Sequence, residues 1–343
     1  MKIIIIGGLG YLGVKLIENI GKIIPNAKIV VYDTGWYKHT NLESIDKNLY
    51  EYVALDKREI DERVLKNVDF VIDLAAVSND VMGNNFEAAT NEINFRSTID
   101  LAKMCLKYDV KKFIFASSCS IYGTADDKAR TEDSDVLPLT AYSKSKWNTE
   151  IELRKLNQNK TKLFALRFST ACGWSPSFRG DLVLNDFVIS SIFNNKILVL
   201  SDGSPWRPLI STNDISRSII WTILEKECEL GFNYYNVGSE EWTFSIKDLA
   251  IKVSDLAKVE YEIVGRGERD KRSYKVNFDK FFFDAKEFAP REKIDDVVYE
   301  MLDKVKFHKD KIDQIGINQI KRLNVLKDLM NKYKINKNLF WIK

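Results

Sequence analysis

MKIIIIGGLGYLG, residues 1–13, decides the fold. Ile3 to Ile6 form an unbroken β-branched run, which suits a strand buried on both faces of a parallel sheet. The run ends in Gly7, Gly8, Gly10 and Gly13, and from Tyr11 onward the pattern is that of an amphipathic helix. A buried strand that turns on glycines into a helix gathers backbone N–H groups and the helix's positive end at one spot. Such a spot binds phosphate. The glycines serve a tight turn, close backbone approach to a pyrophosphate, and close packing of helix on strand. Their spacing differs by one residue from the G-x-G-x-x-G form.

A second strand, Lys28–Tyr32, leads to Asp33. An acidic residue at this distance hydrogen-bonds an adenosine ribose and repels a 2′-phosphate, and no Arg follows nearby in sequence, so the pairing favours NAD over NADP. Taken singly, each feature also fits a glycine-rich turn or a solvated strand end in some other α/β protein.

Strand and helix patterns then alternate. Tyr50–Ile60 carries a third strand ending at Asp56, Asp69–Ala76 a fourth, Lys112–Ala116 a fifth and Lys162–Phe168 a sixth. Helical patterns fill Phe86–Tyr108 and Ala141–Leu156. This alternation predicts an α/β fold, a Rossmann-like doubly wound parallel sheet. Beyond Thr170 the pattern changes: a loop at Cys172–Gly180, a helix at Asp181–Asn194, short strands at Ile197–Leu200 and Leu209–Ser211, and another strand at Phe232–Gly238. Helices follow around Ile246–Leu256 and Ile294–Phe307, and Lys309–Lys343 is charged and helical. We therefore expect a dinucleotide-binding domain over 1–172, with a returning segment near 208–238. Residues 173–343 would form mainly a smaller α/β substrate lobe and C-terminal helices.

With 343 residues and 45% hydrophobic content, the chain has material for a large core and roughly two domains. Fifty-two basic against 49 acidic residues leave +3, interleaved, so no nucleic-acid-binding face is expected. No signal peptide precedes the first strand and no apolar run reaches membrane-spanning length. Four cysteines (Cys105, Cys119, Cys172, Cys228) without C-x-x-C spacing, and only two histidines, argue against zinc or disulfides and for a reducing cytoplasm.

Tyr142 and Lys146, in AYSKSKW, are one helical turn apart and share a face. A phenol beside an ammonium is an acid–base group for neutral pH. Bringing a Tyr from about 10 to near 7 takes roughly 4 kcal/mol of preference for the phenolate. A nearby cation can supply it. Tyr-x-x-x-Lys is common by chance, but here it follows the fifth strand, with Ser118 where that strand opens toward the ligand edge of the sheet.

At these residues the chain resembles the extended short-chain dehydrogenases/reductases, the NAD-dependent nucleotide-sugar epimerases and dehydratases. The signatures run from Met1 to about Phe288: GGLGYLG, Asp33, Leu74–Ala76, Asn94, SSCSIYG, YSKSK, LRFSTACG, DGSPWRPLISTND, YNVGS and RSYKV. The resemblance implies a nucleotide diphosphate sugar as substrate and NAD as cofactor. It puts Gly7, Gly10, Tyr11, Leu12 and Gly13 at the pyrophosphate, Asp33 at the adenosine ribose, and Asp56 and Lys57 beside the adenine. Leu74, Ala75, Ala76, Asn94, Ser117 and Ser169 would border the rest of the cofactor. Tyr142 matches the general acid/base, Lys146 the ligand of the nicotinamide ribose, and Ser118 the hydroxyl that bonds the reacting sugar. Substrate would also meet Ser78, Cys119, Ser120, Arg179, Asn185, Arg207 and Arg272. The arginines suit phosphate chemically, although surface ion pairs would also account for Arg207 and Arg272. Pairing of two subunits through Phe86–Tyr108 and Ala141–Leu156 is a further implication.

The chain departs from the family where reaction type is set. After the catalytic Ser/Thr, the 4,6-dehydratases carry Asp then Glu, and decarboxylating members keep the Glu; here the two positions are Cys119 and Ser120. Dehydration and decarboxylation are thereby disfavoured. Cys119 is either a catalytic thiol or, more in keeping with free cysteines generally, a buried packing residue. Ser175–Asn185 resembles a subgroup from surface-polysaccharide sugar pathways. The expectation is a nucleotide-sugar 4-epimerase, with a 4-dehydrogenase or 4-ketosugar reductase as the alternative. A non-catalytic NAD-binding protein would be expected to lose Tyr142 or Lys146, and both are kept.

Overall fold

The computed structural model describes residues 1–124, 128–156, 160–228, 230–265 and 273–342. Strand β1 (Lys2–Ile6) turns through the glycines into α1 (Tyr11–Ile23), followed by β2 (Lys28–Asp33), β3 (Tyr50–Ala54) and β4 (Phe70–Asp73). Next come α2 (Asp80–Asn85), α3 (Glu87–Thr90), a π-helical turn over Asn91–Arg96, and α4 (Ser97–Lys107). Then β5 (Lys112–Ser118), α5 (Ala141–Lys155), β6 (Lys162–Phe168) and β7 (Thr170–Cys172) lead to α6 (Val183–Phe193) and β8 (Lys196–Val199). The chain continues through β9 (Trp206–Ser211), α7 (Thr212–Leu224), β10 (Phe232–Val237), β11 (Thr243–Ser245), α8 (Ile246–Ala257) and β12 (Glu260–Ile263). It ends in α9 (Asp279–Ala285), α10 (Ile294–Phe307), α11 (Lys309–Ile315) and α12 (Arg322–Asn331).

Seven strands make one parallel sheet in the order β10-β6-β5-β4-β1-β2-β3. Ile3 through Ile6 are each at most 1% exposed. Ile3 and Ile5 pack into the core on one face, with Val14, Ile17 and Ile219; Ile4 and Ile6 enter the other, with Val71, Leu101 and Phe113. This alternation explains why the run carries no polar residue: both faces are covered. The strand order reverses between β1 and β4, and an open α/β sheet forms its ligand crevice at such a point, beyond the carboxyl ends of the strands. The remaining strands form two small sheets, β11-β9-β7 and β12-β8.

Three differences from the sequence reading matter. Phe86–Tyr108 is not one regular helix: the π turn widens it around Asn94, whose side chain bonds both backbone groups of Val77. The short strands β7, β11 and β12 leave no mark in the sequence pattern, because three- and four-residue strands carry too little alternation to register. The C-terminal segment is helical only in part. Beyond α12 it runs back along the molecule and closes with an Ile335–Trp341 bridge. Among the described residues no helix is long and apolar enough to cross a membrane.

Candidate active site

A cavity of about 560 Å³ opens at the switch point. Its floor is the glycine turn. Gly7 has φ +78°, and a Cβ there would lie 2.7 Å from the backbone of Ala75. A Cβ on Gly13 would lie 2.5 Å from the Cα of Gly8, so helix α1 can approach β1 only without a side chain at that position. No side chain caps the start of α1, and Tyr11, Leu12 and Gly13 border the cavity. The result is an uncapped helix end at the mouth of a buried strand, a fitting seat for a pyrophosphate.

At the end of β2, the Asp33 carboxylate accepts from Leu9 N at 3.0 Å and Gly35 N at 2.7 Å. Each oxygen keeps a lone pair for a ribose hydroxyl. Burial pushes this carboxyl above its ordinary range, against the pull of those two bonds. Asp56 borders the same end but is held in a two-pronged pair with Arg58, at 2.9 and 2.6 Å. Lys57 reaches inward: its Nζ donates to Asp73 at 2.7 Å, Thr98 at 2.8 Å and Ala75 O at 3.2 Å. It ties the end of β4 in place, so its charge is spent on Asp73 within the protein. Leu74, Ala75 and Ala76 line the middle of the cavity.

On the far wall α5 presents Tyr142 and Lys146, one turn apart. Thr140 and Ser143 form a reciprocal capping box that starts this helix immediately before Tyr142. The Tyr142 phenol stands beside Ser118, whose Oγ accepts from Ser120 N at 3.1 Å. Lys146 Nζ donates to Ala116 O at 2.6 Å and stands 5.7 Å from the centre of the Tyr142 ring. Burial raises the Tyr142 phenol, with Ser118 opposing, and draws Lys146 down to about 7. The lowered phenol that the sequence reading called for is thus opposed by desolvation in the protein alone, and so is the charge on its partner.

Ser117 faces the cavity and donates to Glu150 at 2.5 Å. Glu150 is fully buried against Arg167, and Arg167 in turn donates to Tyr122 at 2.8 Å. This buried network braces the strand end that presents Ser118. Ser78, Ser120 and Ser169 also line the cavity. Arg179 bonds the Ser78 hydroxyl and carbonyl, each at 3.0 Å, and pairs with Asp181 at 2.7 Å. Arg207 also borders the space, 7% exposed, with its guanidinium 5.6 Å from the Tyr274 ring.

Three expected contacts do not reach the cavity. Asn94 is fully buried behind β4, bonded to Val77 and Ser145, because the π turn aims it at the backbone. Asn185 lies beneath the loop of residues 173–180, holding Gly173 N, Arg179 O and the Tyr11 hydroxyl. Cys119 is fully buried and donates to Arg167 O at 3.0 Å, and burial lifts its thiol to about 12. A thiolate there is strongly disfavoured, so the structure supports the packing role. Arg272 lies outside the described residues. Sequence reasoning missed Glu150, Arg58 and Arg322. Arg167 did leave a signal, since an arginine in the apolar strand KLFALRF demands a buried partner.

A parallel sheet with an uncapped glycine turn, an acidic residue closing β2, and a Tyr–Lys–Ser group at one switch point defines a dinucleotide-dependent enzyme. The model of the NAD dependent epimerase/dehydratase family matches residues 3–238, and the chain belongs to that family. One relative, provisionally named a UDP-glucose 4-epimerase in Methanocaldococcus jannaschii, is 27% identical over 278 residues, 78% of this chain and 84% of that one. A dTDP-D-glucose 4,6-dehydratase of Dictyostelium discoideum is likewise 27% identical over 278 residues, 75% of this chain but 62% of the longer relative. A UDP-glucuronic acid 4-epimerase from Bacillus cereus, solved with UDP-glucuronic acid and NAD, superposes with TM-score 0.76 at 21% identity, over 90% of this chain and 99% of that one. NAD is the cofactor of the family, and the glycine cradle with Asp33 fits it.

Proposed function

We propose that the chain is an NAD-dependent nucleotide-sugar 4-epimerase working through a 4-keto intermediate, in the making of surface-polysaccharide sugars. One observation carries this reading. Among the described residues no uncommitted carboxyl group stands beside Tyr142 and Ser118. Ser120 occupies the cavity wall where the dehydratases of the family carry Glu, and Cys119 is turned away behind it. The two aspartates nearby are engaged, Asp80 by Thr140 and Asp181 by Arg179 and Asn79. Elimination of water needs an acid and a base beyond Tyr142, whereas epimerisation at carbon 4 does not.

In this mechanism Tyr142 takes the proton of the C4 hydroxyl as the C4–H bond gives up its hydride. It returns a proton once hydride has come back to the opposite face of the sugar. Gly7, Gly10, Gly13 and Asp33 would hold NAD, which when bound would supply the hydride acceptor and donor. Ser118, beside the phenol, orients the reacting hydroxyl by hydrogen bonding to it. Lys146 favours the phenolate by its charge when protonated, and Arg207 takes the substrate's diphosphate.

The test is a nucleotide hexose carrying deuterium at carbon 4. Epimerisation leaves the label on carbon 4 of the product. A 4,6-dehydratase would deliver it to carbon 6, and a 4-dehydrogenase would leave it in released reduced cofactor. Tyr142→Phe should cut turnover by about 10²–10⁴-fold while NAD binding persists; turnover near the parent's would refute the mechanism.

A further inference from the structure

The segment that follows Gly316 lies across the adenosine end of the cavity. The Trp341 indole donates to Thr34 O at 2.8 Å. Arg58, already paired with Asp56, donates to the carbonyls of Asn338 and Leu339 and stacks 3.4 Å from the Phe340 ring centre. Val325, Leu326, Leu329 and Leu339 pack with Trp36, Met82 and Ile93 in a core of their own. Among the described residues of this segment, Arg322 borders the cavity.

Arg322 is 3% exposed. Its guanidinium lies 4.0 Å from the Tyr37 ring centre, and Nη2 donates to Ser177 O at 2.9 Å and Ser177 Oγ at 2.7 Å. Nη1 is buried with no hydrogen-bond partner. Among the described residues no carboxylate bridges it. Asp33, whose field it feels, is taken by two backbone N–H groups, and Asp181 by Arg179. Burial pulls its pKa down to about 10. A desolvated guanidinium with an idle donor is costly to bury and suited to an incoming anion. Asp33 closes the ribose position to a phosphate, and the glycine turn borders the same cavity as Arg322.

We propose that Arg322, brought in by the C-terminal segment, is a ligand of the dinucleotide's pyrophosphate through its guanidinium. The cofactor is then held from both sides: backbone N–H groups from the glycine turn, and a guanidinium from a segment far along the chain. The assignment depends on the family cofactor and not on which sugar reaction follows.

The experiment is calorimetric titration of the cofactor-free full-length protein with NAD, ADP-ribose, NADP and UDP, for the parent, Arg322→Gln and Arg322→Lys. In Arg322→Gln the affinities for NAD and ADP-ribose should fall together by about 10- to 100-fold, with UDP unchanged. The rise in Tm on adding NAD should shrink, which a merely structural role would not produce. Arg322→Lys keeps the charge and loses the fork, so it should recover part of the affinity. If Arg322→Gln does not fold, parental NAD affinity in Arg322→Lys overturns the proposal and a fall in both NAD and ADP-ribose sustains it. Weakening confined to NADP would assign Arg322 to a 2′-phosphate, and weakening confined to UDP would assign it to the substrate. Unchanged affinity throughout would make it structural. Each of these three overturns the proposal.

Discussion

Lys146 is the residue at which burial and chemistry pull hardest against each other. Burial is the largest influence and takes its amine to about 7, with Asp73 opposing and Lys57 reinforcing. An unfolded chain would hold that proton until about pH 10. Between those values the unfolded state binds more protons, so this group makes the cofactor-free protein more stable as pH rises from 7. Lys146→Met removes the buried charge. The variant should melt above the parent by a constant margin below pH 7, and the margin should narrow steadily from pH 7 to 9. A margin flat across that range would show that the ammonium is not desolvated. At this scale the sequence was informative about identity and silent about environment. The spacing of Tyr142 and Lys146 revealed the shared face. That the phenol would be raised and the amine lowered depends on Ala116, Asp73 and Phe115 surrounding them, which no spacing discloses.

Among the elements, β5, β6 and α5 are joined by one buried charge pair. Glu150 on α5 accepts from Ser117 at the end of β5 and from Arg167 on β6, and both charged side chains are fully buried. The pair fixes the helix that carries Tyr142 against the strand that carries Ser118. Glu150→Ala would strand the guanidinium in the interior, and the expected cost is about 3–5 kcal/mol, read as lost unfolding free energy in urea. A loss under about 1 kcal/mol would mean that water reaches Arg167. The elements themselves were largely legible, because long apolar runs such as Ile3–Ile6 and Lys162–Phe168 have few alternatives. Residues whose side chains act across elements were not. Asn94 reads as a cofactor ligand from the motif it sits in, yet the π turn directs it to Val77, and a π turn leaves no mark in the hydrophobic period.

In the whole molecule, the reversal of strand order between β1 and β4 sets one cavity. Asp33, the glycine turn, Tyr142, Ser118 and Arg207 all border it. The parallel sheet and its crevice followed from the alternating pattern, since βαβ connections leave little topological freedom. The C-terminal segment was illegible beyond its charge. Arg322 becomes meaningful only once folding sets it over Tyr37, hundreds of residues away in the chain. The central claim is that hydride leaves carbon 4 of a nucleotide sugar for a cofactor the protein retains, and then returns. It is tested most directly by absorbance at 340 nm of the full-length protein carrying NAD, mixed with UDP-, dTDP- and GDP-hexoses and no added cofactor. We predict a rise with one substrate that decays as its 4-epimer appears. A lasting rise with an accumulating keto sugar, or a flat trace with no isomer formed from any substrate, would contradict the account.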